Sequence, residues 1–272
     1  MRFIGVDFTS APSARKPITA ALGELQHGQL VVSEIRPCMS WAEFEALLAA
    51  PGPWCGGFDF PFGLPRELVV QLGWPHDWAG LITHVRALGK PAFKAALDQV
   101  RESRPMGCRY IHRATDIPAQ SHSPMKLVNP PVGLMFFEGT PRLLAAGVTL
   151  PGMHSGDPAR IALEAYPALL ARRFTRESYK SDTRAKQTPE RRVARERILA
   201  GLDAGQPLGP VLKMSPSLRV QALEDASGDS LDALLAMLQA ASAWAQRERG
   251  FGLPPGMDPI EGWILSVQPI ES

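Results

Sequence analysis

Cys38, Cys55 and Cys108 are the only cysteines in 272 residues, odd in number and scattered, so no disulfide framework is expected. That usage predicts a reduced, cytoplasmic protein. No apolar run reaches the ~18–20 residues a membrane-crossing helix needs, so no membrane partner is expected. The opening Met1-Arg2-Phe3-Ile4-Gly5-Val6-Asp7 is too short for a signal peptide and goes directly into a strand-like run. A second close Cys/His pair is also missing. Cys108, His112 and His122 therefore lack the paired ligands of a structural zinc site. Neither charge sign dominates: 29 Lys/Arg against 27 Asp/Glu leave +2 at pH 7, so any partner must be read from local charge. There is no internal repeat and no low-complexity segment. The expectation is one α/β domain over residues 1–272.

What is present is a set of acids in suggestive places. Asp7 closes the apolar run 2–7, and Asp59 closes a second, Trp54-Cys55-Gly56-Gly57-Phe58-Asp59. Asp229 and Asp232 open a strongly helical segment, and a three-residue step places both on one helix face. If the two strands are neighbours and the helix starts beside their ends, the four carboxylates converge. Such a cluster repels itself unless cations sit in it, and hard oxygen ligands suit Mg²⁺ or Mn²⁺. Taken singly, an acid at a strand end can bond turn amides, and Asp229 can serve the helix dipole. Asp232 is harder to explain that way, because Leu231, Leu234 and Leu235 surround it.

The coarse pattern predicts strands over 2–8, 18–25 and 29–35, the last two joined by a tight turn at His27-Gly28. A helix over 41–49 with Ser40 as N-cap precedes the strand ending at Asp59. This order implies a mixed sheet with the fourth strand beside the first. Residues 66–156 read as a largely helical and irregular insertion, with helices over 78–88 and 91–102. A strand over 161–166, helices over 168–174, 189–202, 218–224 and 230–249, and a last strand over 262–267 are then expected.

Charge is uneven. Between Arg172 and Arg197 stand ten Lys/Arg against four Asp/Glu, and between Arg101 and Lys126 five against two. A basic surface beside an acidic pocket suits a phosphodiester substrate. Lys180, Arg184 and Lys186, and in the insertion Arg109 and His112 with Arg113, are the candidate phosphate contacts. For any one of them, plain solvated charge is the competing reading.

Several short motifs, in their order, resemble the domain-of-unknown-function 429 family. They are Ile4-Gly5-Val6-Asp7, Gly57-Phe58-Asp59-Phe60-Pro61-Phe62-Gly63-Leu64-Pro65, Leu163-Glu164-Ala165-Tyr166-Pro167, Tyr179-Lys180, Asp229-Ser230-Leu231-Asp232-Ala233 and Glu261-Gly262-Trp263-Ile264. The resemblance spans most of the chain outside the insertion. It implies a predicted nuclease of ribonuclease H-like fold, with two divalent ions on Asp7, Asp59, Asp229 and Asp232 and a nucleic acid or other phosphodiester as substrate. Members of that fold often carry Glu on the fourth strand, where this chain has the shorter Asp59. Glu164, at the end of the next strand and just before Tyr166-Pro167, is a secondary candidate as a supplementary ligand or an outer acid, and nucleases of that fold can be homodimers.

Two other functions compete. Phosphotransferases of the actin and sugar-kinase type also begin with an acid at the end of strand one, and Thr9 and Ser10 offer hydroxyls. Their phosphate turns favour glycine, however, where this chain has Phe8. A non-catalytic nucleic-acid-binding module is the third reading.

Overall fold

The computed structural model describes residues 1–205 and 209–268. The chain opens with β1 (Arg2–Asp7), β2 (Ile18–Gln26) and β3 (Gln29–Cys38), then α1 (Trp41–Leu48) and β4 (Trp54–Asp59). A mostly helical stretch follows: α2 (Arg66–Gln71), α3 (Trp78–Leu88), α4 (Lys90–Ser103), α5 (Asp116–Ala119) and α6 (Val132–Ala146). The short β5 (Val148–Thr149) and the longer β6 (Asp157–Glu164) return to the sheet. After them come α7 (Pro167–Ala171), α8 (Pro189–Asp203), β7 (Val211–Lys213), α9 (Pro216–Glu224) and α10 (Asp229–Trp244).

The strands form one mixed sheet in the order β5-β6-β4-β1-β2-β3-β7. β2 runs antiparallel to both β1 and β3, while β1-β4, β4-β6, β5-β6 and β3-β7 are parallel. His27 and Gly28 both have positive φ, as a two-residue hairpin turn requires. The carboxyl ends of β1, β4 and β6 therefore share one edge of the sheet.

Side-chain alternation along the strands separates two cores. Ile4, Val6, Trp54 and Phe58 pack with α1 to α4 and α6 on one face. Phe3, Cys55 and Leu163 pack with α7 to α10 on the other. Because side chains alternate with period two, Gly5 and Asp7 share the second face with Phe3, and Gly57 and Asp59 share it with Cys55. The two glycines matter. A Cβ at Gly5 would lie 2.0 Å from the Ala233 carbonyl oxygen, and one at Gly57 would lie 2.2 Å from that of Ala236. Helix α10 thus rests directly on the backbone of β1 and β4. It is buried almost all round, which suits its run of Ala and Leu.

Several expected elements differ. Residues 262–267 do not form a strand. Gly262 and Ser266 both have φ of 69°, which curls the segment, and only the Leu265 amide bonds along β6, to the Glu164 carbonyl at 2.9 Å. The helix expected over 230–249 stops at Trp244, and a short 3-10 turn, Arg247–Gly252, follows with Gly250 and Phe251 left-handed. The strand expected over 161–166 starts earlier and ends at Glu164, because Tyr166 already caps α7. Among the described residues no helix is long and apolar enough to cross a membrane.

The seating of α10 can be tested. Gly57→Ala should lower unfolding free energy by about 3 kcal/mol in urea titrations, since the neighbouring atoms are backbone and cannot rotate away. A loss below about 0.5 kcal/mol would mean that the helix does not sit this close.

Candidate active site

Asp7 and Asp59 are register partners on adjacent parallel strands. Strands lie ~4.8 Å apart, so the two carboxylates leave the same face of the sheet as neighbours. Each stands two residues beyond the glycine that admits α10, so the first turn of that helix meets them. Gly228, left-handed at φ 82°, is the helix N-cap, and its carbonyl accepts the Asp232 amide at 2.9 Å. Asp229 and Asp232 follow in the first turn. The four acids sense one another. Burial, then Asp232 and Asp229, raise the Asp7 carboxyl well above the ordinary range, against an opposing effect of Lys180. Burial and Asp232 push Asp59 up to about 7, again against Lys180. Burial also raises Asp229, partly offset by Lys16.

Their partners are unequal. Lys16 Nζ donates to both Asp229 oxygens at 2.9 and 3.0 Å and to Asp182 Oδ1 at 2.8 Å. Asp182 and Asp229 hold the Lys16 ammonium above its usual range although burial opposes them. Asp232 accepts from Tyr179 Oη at 2.6 Å and from Lys180 Nζ. Among the described residues, neither the Asp7 nor the Asp59 carboxylate accepts a hydrogen bond. Both face a cavity of about 620 Å³, which Lys16, Lys180, Tyr166 and residues of the stretch between β4 and β5 also line.

Glu164 sits at the same strand edge but is register partner of Phe58, so it leaves the opposite face. Both its oxygens are engaged. Arg113 donates to Oε1 at 2.7 Å and to Oε2 at 2.8 Å, and the Phe62 amide also reaches Oε2, at 2.9 Å. Arg113, 2% exposed, also binds Asp116 Oδ1 at 2.8 Å and the Glu261 carbonyl at 2.9 Å. The two acids hold this guanidinium charged against burial. The ion-pair triad fastens the helical stretch to the end of β6 and gives Glu164, which also lines the cavity, a positively charged partner that Asp7 and Asp59 lack.

Of the other residues singled out from the sequence, Lys180 lies in the site. Arg184 and Lys186 form an exposed 3-10 turn outside the cavity lining. Arg109 and His112 are exposed and also outside it, whereas Arg113 and His122 of the same segment line it. The basic stretch 172–197 lies mostly at the surface, where Arg192 pairs with Glu224 and Arg197 with Glu177, while buried Arg195 bonds the Tyr179 and Leu223 carbonyls. Lys16 was missed, since a lysine in a polar turn carries no signal before the fold places it. Tyr179 was visible only beside Lys180.

The donor set suits a hard cation. Among the described residues no group of three or more His, Cys, Asp or Glu is arranged to hold a metal ion. Mg²⁺, however, commonly takes only one or two carboxylates and keeps several waters, and Asp7 and Asp59 are two adjacent carboxylates without protein donors. Phe8 packs in an aromatic cluster, 4.5 Å between ring centroids from Phe60 and 5.4 Å from Phe44. Comparison with protein-family models, with curated proteins and with solved structures gives no match.

Two expectations follow. Arg113→Ala strands two buried carboxylates and should cost about 3–5 kcal/mol of stability by chemical denaturation; a near-neutral result would refute the fastening role. Asp59 holds a proton in the folded state that the unfolded chain releases above its ordinary pKa of 3.8. The penalty for ionising it is absent below that value, grows as pH rises and is complete above about 7. In chelator, stability should therefore fall between about pH 4 and pH 8, and Asp59→Asn should flatten the fall. Parallel curves for the two proteins would contradict this.

Proposed function

We propose that this protein is a divalent-metal-dependent phosphodiester hydrolase, a nuclease or related phosphodiesterase of ribonuclease H-like type, as the motif resemblance to the domain-of-unknown-function 429 family implies. The observation that carries the reading is the in-register pair Asp7 and Asp59, bare of protein donors and facing a cavity that two lysines share. Raised carboxyl pKa values in a cleft are a recurrent mark of functional sites, because burying uncompensated acids is costly.

In this reading Asp7 and Asp59 hold Mg²⁺ or Mn²⁺. A bound ion of this kind lowers the pKa of a coordinated water and offsets charge on phosphoryl oxygens. Lys16 and Lys180 neutralise Asp229 and Asp232, so an anionic phosphate meets a centre that is not strongly negative. Burial keeps the local dielectric low and strengthens each of these attractions. The cavity falls within the ~300–1,000 Å³ range of small-ligand pockets, room for one nucleotide-sized group at a time. Nucleic acid, or a smaller phosphodiester, is the substrate class.

The test is cleavage of single-stranded DNA, single-stranded RNA and an activated aryl phosphodiester in Mn²⁺. Asp7→Asn and Asp59→Asn should each lose roughly 100-fold or more, at or beyond what removing an outer partner of a metal ligand costs. Both should remain folded by circular dichroism. Cleavage that survives in both variants would sink the proposal. So would stabilisation by ATP without any cleavage, which belongs to a phosphotransferase.

A further inference from the structure

The four acids at the end of the sheet do not stand in equivalent surroundings. Asp232 is fully buried, and each of its oxygens already has a donor: Tyr179 Oη on Oδ1 at 2.6 Å and Lys180 Nζ on Oδ2. The Lys180 side chain is 40% exposed, so part of it borders the cavity while its ammonium contacts a buried carboxylate.

Lys180 is mounted, not merely nearby. Buried Arg195 donates from Nη1 to the Tyr179 carbonyl at 2.7 Å, and Arg191 Nη1 donates to the carbonyl of Lys180 itself. The Ser181 amide donates to the Ala226 carbonyl at 3.0 Å. Gly228, at the start of α10, leaves the space the lysine stem occupies. A Cβ there would lie 2.6 Å from Lys180 Cβ and 2.9 Å from Cδ, and the positive φ independently favours glycine. Contacts from α8, from the loop before α10 and from the helix cap thus deliver one ammonium group to Asp232. A surface lysine that merely drifted toward an acid would have none of this support.

We infer that Lys180 takes the place of the second cation, so that the site holds one divalent ion, on Asp7 and Asp59, beside a built-in ammonium on Asp232. The inference rests on the metal-dependent reading above and narrows it. Asp232 becomes a positioning residue for Lys180 instead of a metal ligand, with Tyr179 fixing its other oxygen. Within the four-acid cluster the carboxylates of Asp7, Asp59, Asp229 and Asp232, the ammoniums of Lys16 and Lys180, and one divalent ion sum to zero, and Asp182, which shares Lys16, adds one negative charge at the exposed rim. Lys180, which lines the same cavity, would then present positive charge to a bound phosphate.

Counting Mn²⁺ by electron paramagnetic resonance on the intact chain tests this, with Mn²⁺ alone as the probe. The wild type should bind one ion per chain in the site, with the six-line spectrum of an isolated Mn²⁺. Lys180→Gln, which frees Asp232 Oδ2, should bind two, with the broadened signal of a coupled pair. Lys180→Arg should return the count to one. Two coupled ions in the wild type would overturn the inference and leave the metal-dependent reading standing. A single ion in both wild type and Lys180→Gln would also overturn it, because Lys180 would then not be what excludes the second. If Asp7→Asn and Asp59→Asn bind as the wild type does, or no Mn²⁺ binds at all, the broader reading fails with it. Should Lys180→Gln not fold, the wild-type count and line shape decide alone.

Discussion

The close contact of α10 with β1 and β4 fixes everything at the candidate site. Gly5 and Gly57 have no side chains to hold the helix off, so its backbone lies against theirs, and Ala233 and Ala236 supply the matching small surface. Two residues further along each strand, alternation turns Asp7 and Asp59 toward the same layer. The first turn of the helix, capped by left-handed Gly228, then carries Asp229 and Asp232 to them. Any side chain at the glycines would move the helix and separate the acids. The packing of one helix and the assembly of the charge cluster are a single event.

Bringing four carboxylates together in a largely buried place costs free energy, and the protein offsets it unevenly. Lys16 and Lys180 each engage one helix acid, and Tyr179 supports the second. The strand acids keep neither lysine nor amide. Their neutralisation is left to a proton or to an added cation. On the opposite face of the sheet the treatment differs: Glu164 and Asp116 share buried Arg113, whose role is to fasten one layer to another. Both ensembles contain an acid at a strand edge, yet among the described residues Glu164 is held by an arginine and a backbone amide, while Asp7 and Asp59 accept no hydrogen bond.

The sequence made the strand ends and the helix start legible, because apolar runs that stop at an acid mark a strand leaving the core. The order of strand, hairpin, helix and strand correctly placed β4 beside β1. It was less informative where the fold overrides pattern. The apolar residues 262–267 resemble a strand until Gly262 and Ser266 adopt positive φ. In the segment 109–113 the basic residue turned inward is Arg113, beside buried Ile111, while Arg109 and His112 face solvent, a choice set by contacts with Glu164 and Asp116 that no local spacing reveals. The basic stretch 172–197 stays largely at the surface, but buried Arg195 bonds the Tyr179 and Leu223 carbonyls, an internal role that charge counting does not separate from the exposed residues around it. Lys16 had no signature at all. Its importance comes from the loop that carries it past the end of β1.

The most direct measurement is anomalous diffraction from crystals soaked in Mn²⁺. A peak within about 2.2 Å of oxygens from both Asp7 and Asp59 is the expected result, close to the ~2.0–2.1 Å of Mg²⁺–oxygen bonds. Crystals that show no peak there at saturating Mn²⁺, or in which protein donors fill both carboxylates, would contradict the central claim.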